Sequence, residues 1–457
     1  MLRLFRHYVP GTLLLVMAAD VAIIVGAVSL GVSWAKWGGE GALWPKALTL
    51  TATVLFALYL ADLYDPGLAL GRRELVVRLV YALLASGVVA AALGFALPAL
   101  RFGRLAFLQS LGLTLGGLLV WRLGWLGISA NEGLRKRVLV LGVSGAAEPI
   151  VGLQATGARP FTVLGFLDDH PAAYEQLPAG AELLGKARDL LNLVDELQPD
   201  LVLVALRDMR GAFPAEDLLE CRLRGIRVED WPSFYEKQTG KILVTDMRPS
   251  WLIFSDGFVK TRMTQALKRA VDVVLAAVGL LVALPVMGLV ALAIKLESRG
   301  PALFRQERVG QNGRIFVLNK FRSMRVDAER GSGAVWASAH DPRVTRVGRV
   351  IRKTRLDELP QLVNVLLGTM SFIGPRPERP EFVQLLQQRI PFYMERLAVK
   401  PGLSGWAQVR YPYGASVEDA LEKLQYDLYY IKNLSPFLDL LILLSTVQVV
   451  LFGRGAR

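Results

Sequence analysis

Two adjacent acids, Asp357 and Glu358, stand in the stretch RKTRLDELPQL at residues 352–362. Adjacent carboxylates repel, and the plain reading is a helix N-terminus beside a solvated charge run. The chemical reading places Asp357 at the helix N-cap. Pro360 then falls at the third helical position, where its missing N–H costs nothing. The helix dipole and the nearby cations are expected to lower the Asp357 pKa and keep it ionised. An ionised carboxylate aimed at a phosphorus is a covalent nucleophile. A hard dication such as Mg2+ suits bridging such carboxylates and a diphosphate.

Cations surround this pair in the sequence. KFRSMR at 320–325 supplies Lys320 and Arg322, DPRVTRVGRVIRKTR at 341–355 supplies Arg352, and MSFIGPRPERPEF at 370–382 supplies Arg376. Pro375 and Pro377 fix the backbone on both sides of Arg376 and hold its guanidinium at one angle. A planar fork held rigidly suits a diphosphate or a phosphate–carboxylate cluster. Any one of these arginines alone reads as a surface charge; the set reads as a binding site for anionic oxygens.

The elements that must position these residues belong to a chain of 457 residues, long enough for two or three domains, with 53% hydrophobic residues and a net charge of +13. The apolar residues are unevenly spread, as in a membrane protein with soluble parts. The basic balance suits anionic lipid head groups, phosphates or nucleotides. A single cysteine, Cys221, excludes an intrachain disulfide and a thiolate metal cage, and His7, His170 and His340 lack zinc-site spacing.

Four apolar segments, roughly 10–33, 44–63, 75–100 and 104–128, are long enough to span a bilayer. The bias of Lys and Arg between them puts both flanks of this block in the cytoplasm. Past residue 135 the texture changes to apolar strands alternating with helical stretches over 138–230, which predicts a parallel, doubly wound sheet. Its turn GVSG is not a dinucleotide fingerprint, so a regulatory or structural module is as good a reading as nucleotide binding. A fifth apolar run, from Val273 to Ile294, carries Pro285 at its centre and basic residues at both ends. Proline removes a helical hydrogen bond, and the positive-inside rule wants both ends cytoplasmic. The expectation is a bent helix, about 267–297, that enters and leaves on one side. The last apolar stretch, from 435, reads as a surface or docking helix.

The motifs LKRAVD, GPALFRQERVGQNGRIFVLNKFRSMR, DPRVTRVGRVIRKTRLDELPQLVNVLLGTMSFIGPRPE and KPGLSGWAQV occur in order. With them, residues 262–457 resemble the bacterial sugar transferase family. Its members are monotopic phosphoglycosyl transferases, which move a hexose 1-phosphate from a UDP-sugar to a polyprenyl phosphate and release UMP. The whole architecture is similar to the long members that begin exopolysaccharide or other glycoconjugate assembly with glucose or galactose. The resemblance implies a four-helix transmembrane bundle (1–130), a Rossmann-like α/β module (131–235), a linker (236–261) and a mainly helical catalytic domain (262–457) with a re-entrant helix. It implies Asp357 as nucleophile and metal contact, Glu358 as its partner, and Lys320, Arg352 and Arg376 as phosphate contacts. Implied partners are a UDP-sugar, undecaprenyl phosphate and an anionic membrane, with no nucleic acid and a homodimer left open. The implied site of action is the cytoplasmic face of the bacterial inner membrane. One departure stands out: the family often bends its helix at Ser-Pro, whereas this chain has Leu284-Pro285.

Two rivals remain. A membrane-anchored nucleotide-sugar dehydratase needs a Tyr with Lys four residues later, and no tyrosine here has one. An inactive scaffold would have little reason to keep the acid pair with its cations.

Overall fold

The computed structural model describes residues 2–4, 7–34, 43–65, 70–129, 135–143, 145–155, 161–170, 177–206, 213–245, 257–258, 261–326, 341–411 and 416–452, with a few isolated positions between them. The chain divides into two compact units, 9–234 with residues 1–2, and 235–457 with residues 3–8.

In the first unit, the four apolar segments form α1 (Gly11–Trp34), α2 (Leu43–Leu60), α3 (Arg72–Ala96) and α4 (Arg104–Ser129). Each is long and apolar enough to cross a membrane. They pack around Ile24, Val28, Leu50, Val54, Leu58, Leu79 and Leu118, all fully buried. Among these apolar side chains lies a buried charge pair, with Arg122 of α4 reaching Asp20 of α1 at 2.5 Å.

The alternating region folds as the continuous apolar strands require. After a short N-terminal pair, β1 (Leu2–Leu4) and β2 (His7–Val9), come β3 (Lys136–Leu141), β4 (Phe161–Leu167), β5 (Leu183–Gly185), β6 (Leu201–Val204) and β7 (Arg227–Asp230). These last five form one parallel sheet in the order β5-β4-β3-β6-β7. Helices α5 (Ala147–Ala155), α6 (Leu190–Leu197) and α7 (Ala215–Leu223) connect them, and α8 (Trp231–Thr239) follows. At the end of β3 the chain turns at Gly142, whose φ of +104° favours glycine. The Asp168 carboxylate after β4 accepts the Val143 and His170 amides, both at 2.8 Å, and so pins that turn.

The longest element of the second unit is α9 (Arg262–Glu297), 36 residues and about 54 Å long at 1.5 Å per residue. An antiparallel hairpin of β8 (Leu303–Val309) and β9 (Ile315–Phe321) follows. Then come α10 (Arg346–Lys353), α11 (Gln361–Leu367), β10 (Ser371–Ile373), α12 (Pro380–Arg389), β11 (Gly402–Ser404), α13 (Trp406–Arg410), α14 (Val417–Lys432) and α15 (Pro436–Phe452). The core gathers Ile373, Tyr393, Trp406, Leu428, Tyr429, Tyr430, Leu438 and Ile442. Residues of the segment expected as a linker enter it: Ile242 and Val244 are 1% exposed, and the Ile242 amide donates to the Gln425 carbonyl. The stretch 246–256 lies outside the described residues. His7 also belongs to this unit, with Nδ1 at 2.9 Å from the Tyr429 hydroxyl.

Candidate active site

Asp357 and Glu358 share one 3-10 turn, Leu356–Glu358, between α10 and α11. The turn begins because Arg355 takes a left-handed backbone, φ 59° and ψ 13°, which few residues other than glycine adopt and which ends α10. Pro360 is the N-cap of α11. The expected placement is thus corrected: Asp357 caps no helix, and Pro360 stands just before the helix instead of at its third position. The proline still sacrifices no helical hydrogen bond.

The long helix holds both neighbours of this turn. The Arg269 guanidinium donates to the Val365 and Leu366 carbonyls at 2.6 and 2.7 Å, which closes the C-terminal end of α11. At the other end of α9, the Glu297 carboxylate accepts the Arg346 and Val347 amides, the nearer at 2.7 Å, and caps α10. Between these anchors Ala276 and Leu280 pack on Leu362, and Val290 and Ile294 pack on Phe321 and Ile351. The helix runs unbroken through Pro285.

The hairpin brings in Lys320. Register pairs Phe304 with Lys320 and Arg308 with Phe316, so these side chains share one face. The Lys320 ammonium lies over the Phe304 ring, 5.3 Å from its centroid. Buried Asn364 of α11 ties the strand to the turn: its Oδ1 accepts the Asn319 amide at 3.0 Å and its Nδ2 donates to the Val317 carbonyl at 2.7 Å.

The strand pair β10 and β11 delivers Arg376. They run parallel, Ser371 opposite Gly402 and Ile373 opposite Ser404. A Cβ on Gly374 would collide with the Lys400 carbonyl and the Gly402 amide, so the KPGLSG motif works as a backbone cradle. Beyond it each carbonyl is held in turn. Pro375 accepts from the Gly402 amide at 2.9 Å and Arg376 from Arg396 Nη2 at 3.1 Å. Pro377 accepts from Arg308 Nη1 and Glu378 from the Val309 amide, both at 3.0 Å. The rigidity expected from two prolines is therefore completed by four hydrogen bonds.

Arg376 Nη2 donates to Glu358 Oε1 at 2.8 Å, and Arg355 stands 3.9 Å from the same oxygen. The Glu358 side chain is 13% exposed but that of Arg376 is 43% exposed, so the arginine remains reachable from solvent. Burial alone would raise the Glu358 pKa. Arg376, Arg355 and Lys320 outweigh it and hold the carboxyl below its usual range. For Asp357 the balance is reversed. Burial and the Glu358 charge push it up to about 6, against Lys320, Arg376 and Arg352. The expected lowering is corrected, because burial and a like charge next door outweigh the cations. Asp357 is still mostly ionised at neutral pH. Burial, with Arg308 and Arg376, lowers the Lys320 pKa to about 8.

Lys320, Arg352 and Arg376 thus all act on Asp357. Arg322 does not join them. Its guanidinium donates to the Ser298 and Arg299 carbonyls and to Ser298 Oγ at 2.8–3.0 Å, closing the end of α9. Regular alternation would put Lys320 and Arg322 on one face, but β9 ends at Phe321, so Arg322 lies past the strand and turns to the helix instead. The sequence reading missed Arg308, Asn364 and Arg396. Strand alternation with Lys320 was a signal for Arg308; no local pattern marks the other two, whose partners are 45 and 31 residues away.

The comparisons bear directly on this geometry. A family model described as bacterial sugar transferase matches residues 263–453, the span that contains the acid pair and all its cations. The exopolysaccharide production protein PSS of Rhizobium leguminosarum bv. phaseoli is 43% identical over 199 residues, 42% of this chain and 100% of its own length. The chain belongs to the bacterial sugar transferase family.

Other relatives match more of this chain. The undecaprenyl-phosphate glucose phosphotransferase of Komagataeibacter xylinus is 35% identical over 331 residues, 71% of this chain and 60% of that protein. The UDP-N-acetylgalactosamine-undecaprenyl-phosphate N-acetylgalactosaminephosphotransferase of Aeromonas hydrophila is 44% identical over 259 residues, 56% of this chain and 60% of that protein. The matches thus span about 60% of the length of these two relatives. A CoA-binding domain model matches residues 59–210, which takes in α3, α4 and the sheet as far as β6.

Proposed function

We propose that the protein transfers a sugar 1-phosphate from a UDP-sugar to undecaprenyl phosphate, releasing UMP. The observation that carries this reading is Asp357, a half-buried carboxylate beside the Glu358–Arg376 pair. Its pKa is raised to about 6, and Lys320, Arg352 and Arg376 act on it. In the first step an Asp357 oxygen attacks the phosphorus nearest the sugar. The bond from that phosphorus to the bridging oxygen breaks, and UMP leaves with the electron pair. In the second step a phosphate oxygen of the lipid attacks the acyl phosphate, and the bond to Asp357 breaks. The product is a lipid diphosphate sugar, and the carboxylate is restored. The positive groups stabilise negative oxygens in both steps. Two steps also solve a physical problem, since a water-soluble donor and a membrane-tethered acceptor need not share one small site.

Mg2+ is the metal proposed here. Among the described residues no three His, Cys, Asp or Glu side chains converge on one point. Mg2+ does not require that, since it commonly binds one or two carboxylates together with substrate phosphates. Asp357 accepts no hydrogen bond from the described residues and so fits as the protein ligand. When bound, the ion would neutralise the charge of the diphosphate.

The acceptor is lipid-borne, and α9 suits a helix that dips into one leaflet. Its outer face exposes Leu267, Val274, Leu281, Leu289 and Leu296, while both its ends are bonded to the same compact unit. That arrangement favours both ends on one side, at the cytoplasmic face of the bacterial inner membrane, with α1–α4 crossing it. The names of the relatives include both glucose and N-acetylgalactosamine, so the sugar is the variable part of the reading.

The test uses a UDP-sugar radiolabelled in the sugar, without acceptor. Label should stay on the wild-type protein through denaturation, with stoichiometric UMP release, and be absent from Asp357→Asn. Absence of trapped label, with UMP appearing only when both substrates are bound, would make the reaction a direct transfer.

A further inference from the structure

The second unit contains an apolar cavity of about 230 Å³ between the N-terminal half of α9 and the start of α15. Leu267, Val271 and Leu275 form one wall, Leu434 and Leu443 another, and Phe372 of β10 part of the rest. Four polar side chains also reach the lining, and each is already bonded. Lys268 Nζ donates to Asp439 at 2.9 Å, and Asp439 also accepts the Tyr430 hydroxyl at 2.8 Å. Asp272 accepts the Ser371 hydroxyl and the Phe372 amide at 3.0 and 2.9 Å. The Thr264 hydroxyl is 2.7 Å from that of Thr261. With each of these polar groups already bonded within the protein, this cavity has little to offer a polar ligand. Its apolar walls suit an apolar molecule, and its mouth is open beside Leu267 and Val271.

Two further facts restrict the occupant. Val271 and Leu267 lie on the apolar outer face of α9, 45% and 47% exposed, so the cavity adjoins the surface proposed to meet lipid. Ile373, which also lines it, is three residues before Arg376. An extended chain covers about 3.5 Å per residue, so the backbone of this cavity-wall residue and that of Arg376 lie within roughly 11 Å of each other. At about 30 Å³ per water-sized group, the volume holds roughly eight heavy atoms. That is the size of one to two isoprene units.

We infer that this cavity binds the first isoprene units of the lipid phosphate acceptor and aims its phosphate at Asp357. The inference rests on the proposed transfer to undecaprenyl phosphate. It makes Leu275 and Leu443 determinants of acceptor affinity, with no part in the attack on the UDP-sugar.

The experiment uses the full chain in lipid nanodiscs and two cavity-filling variants, Leu275→Trp and Leu443→Trp. Both should raise KM for undecaprenyl phosphate by about 10-fold or more, the usual worth of a blocked apolar subsite. Single-turnover UMP release from the UDP-sugar alone should stay at the wild-type rate, which also shows that the variants are folded. An unchanged acceptor KM with the cavity filled overturns the inference and leaves the proposed function standing. Absence of UMP release from the wild-type chain itself, with and without undecaprenyl phosphate, would instead refute the proposed function. A binding readout independent of turnover uses undecaprenyl phosphate carrying a diazirine in its first isoprene units. It should label peptides containing residues 264–275 and 434–443, and excess undecaprenyl phosphate should abolish the labelling. Labelling elsewhere, or equal competition by phosphatidylglycerol, would overturn the inference; in the second case the occupant is a phospholipid acyl chain.

Discussion

The guanidinium of Arg396 donates to the main-chain carbonyl of Arg376 across 3.1 Å. The same guanidinium is buried against Asp427, at 2.8 Å, and donates to the Tyr393 hydroxyl, also at 2.8 Å. One buried arginine therefore fixes the backbone of another whose side chain faces the acid pair. Arg396→Ala leaves Asp427 buried without its cation and should cost about 3–5 kcal/mol of stability. Thermal unfolding of the detergent-solubilised protein checks this. A variant as stable as wild type would make the ion pair dispensable.

Arg376→Lys keeps the charge and loses the planar fork. The expected loss is about 10-fold or more in kcat/KM for the UDP-sugar, near the worth of one charge-assisted hydrogen bond. Unchanged kinetics would reduce Arg376 to a surface charge.

The rate should be bell-shaped in pH. In the proposed reaction Asp357 attacks only when ionised; with its pKa pushed up to about 6, that form is lost as pH falls through this value. In the same reading Lys320 stabilises phosphate only when charged; with its pKa lowered to about 8, that charge is lost as pH rises through this value. The window lies between these limbs in kcat/KM. Lys320→Arg should remove the alkaline limb, because guanidinium stays charged there. An alkaline limb that persists in this variant belongs to another group.

Glu358 is the second cause of the raised Asp357 pKa, after burial. Glu358→Gln removes the like charge, so the acid limb should move to lower pH. A limb that stays in place would mean that burial alone sets it.

Inside the helical cluster of the first unit, Asp20 is fully buried beside Arg122. Arg122→Leu should destabilise by about 3–5 kcal/mol, and the double change Asp20→Leu with Arg122→Leu should recover most of it. Unfolding of both variants in detergent measures the coupling.

The helix α9 has exposed positions near each end, Arg262 and Arg299. With Cys221→Ser as background, Arg262→Cys and Arg299→Cys should both be labelled only from the cytoplasmic side. Labelling on opposite faces would refute the re-entrant reading.

The sequence by itself determined the apolar helices and the parallel sheet, and it singled out the acid pair with three of the cations that act on it, Lys320, Arg352 and Arg376. Each of these is written locally: in the period of apolar residues, in continuous strand runs, or in motifs whose residues lie within a few positions of one another. Tertiary structure alone decided what those residues experience. Asp357 looked like a helix cap beside cations, yet its pKa rises, because desolvation depends on atoms brought from β9 and the Arg376 loop. Arg322 looked like Lys320, yet β9 ends between them at Phe321, and the chain beyond it carries Arg322 to the end of α9. Arg396 and Asn364 gave no local sign, since their partners are far along the chain. The apolar cavity between α9 and α15 is a property of packing, built from helices about 160 residues apart in sequence.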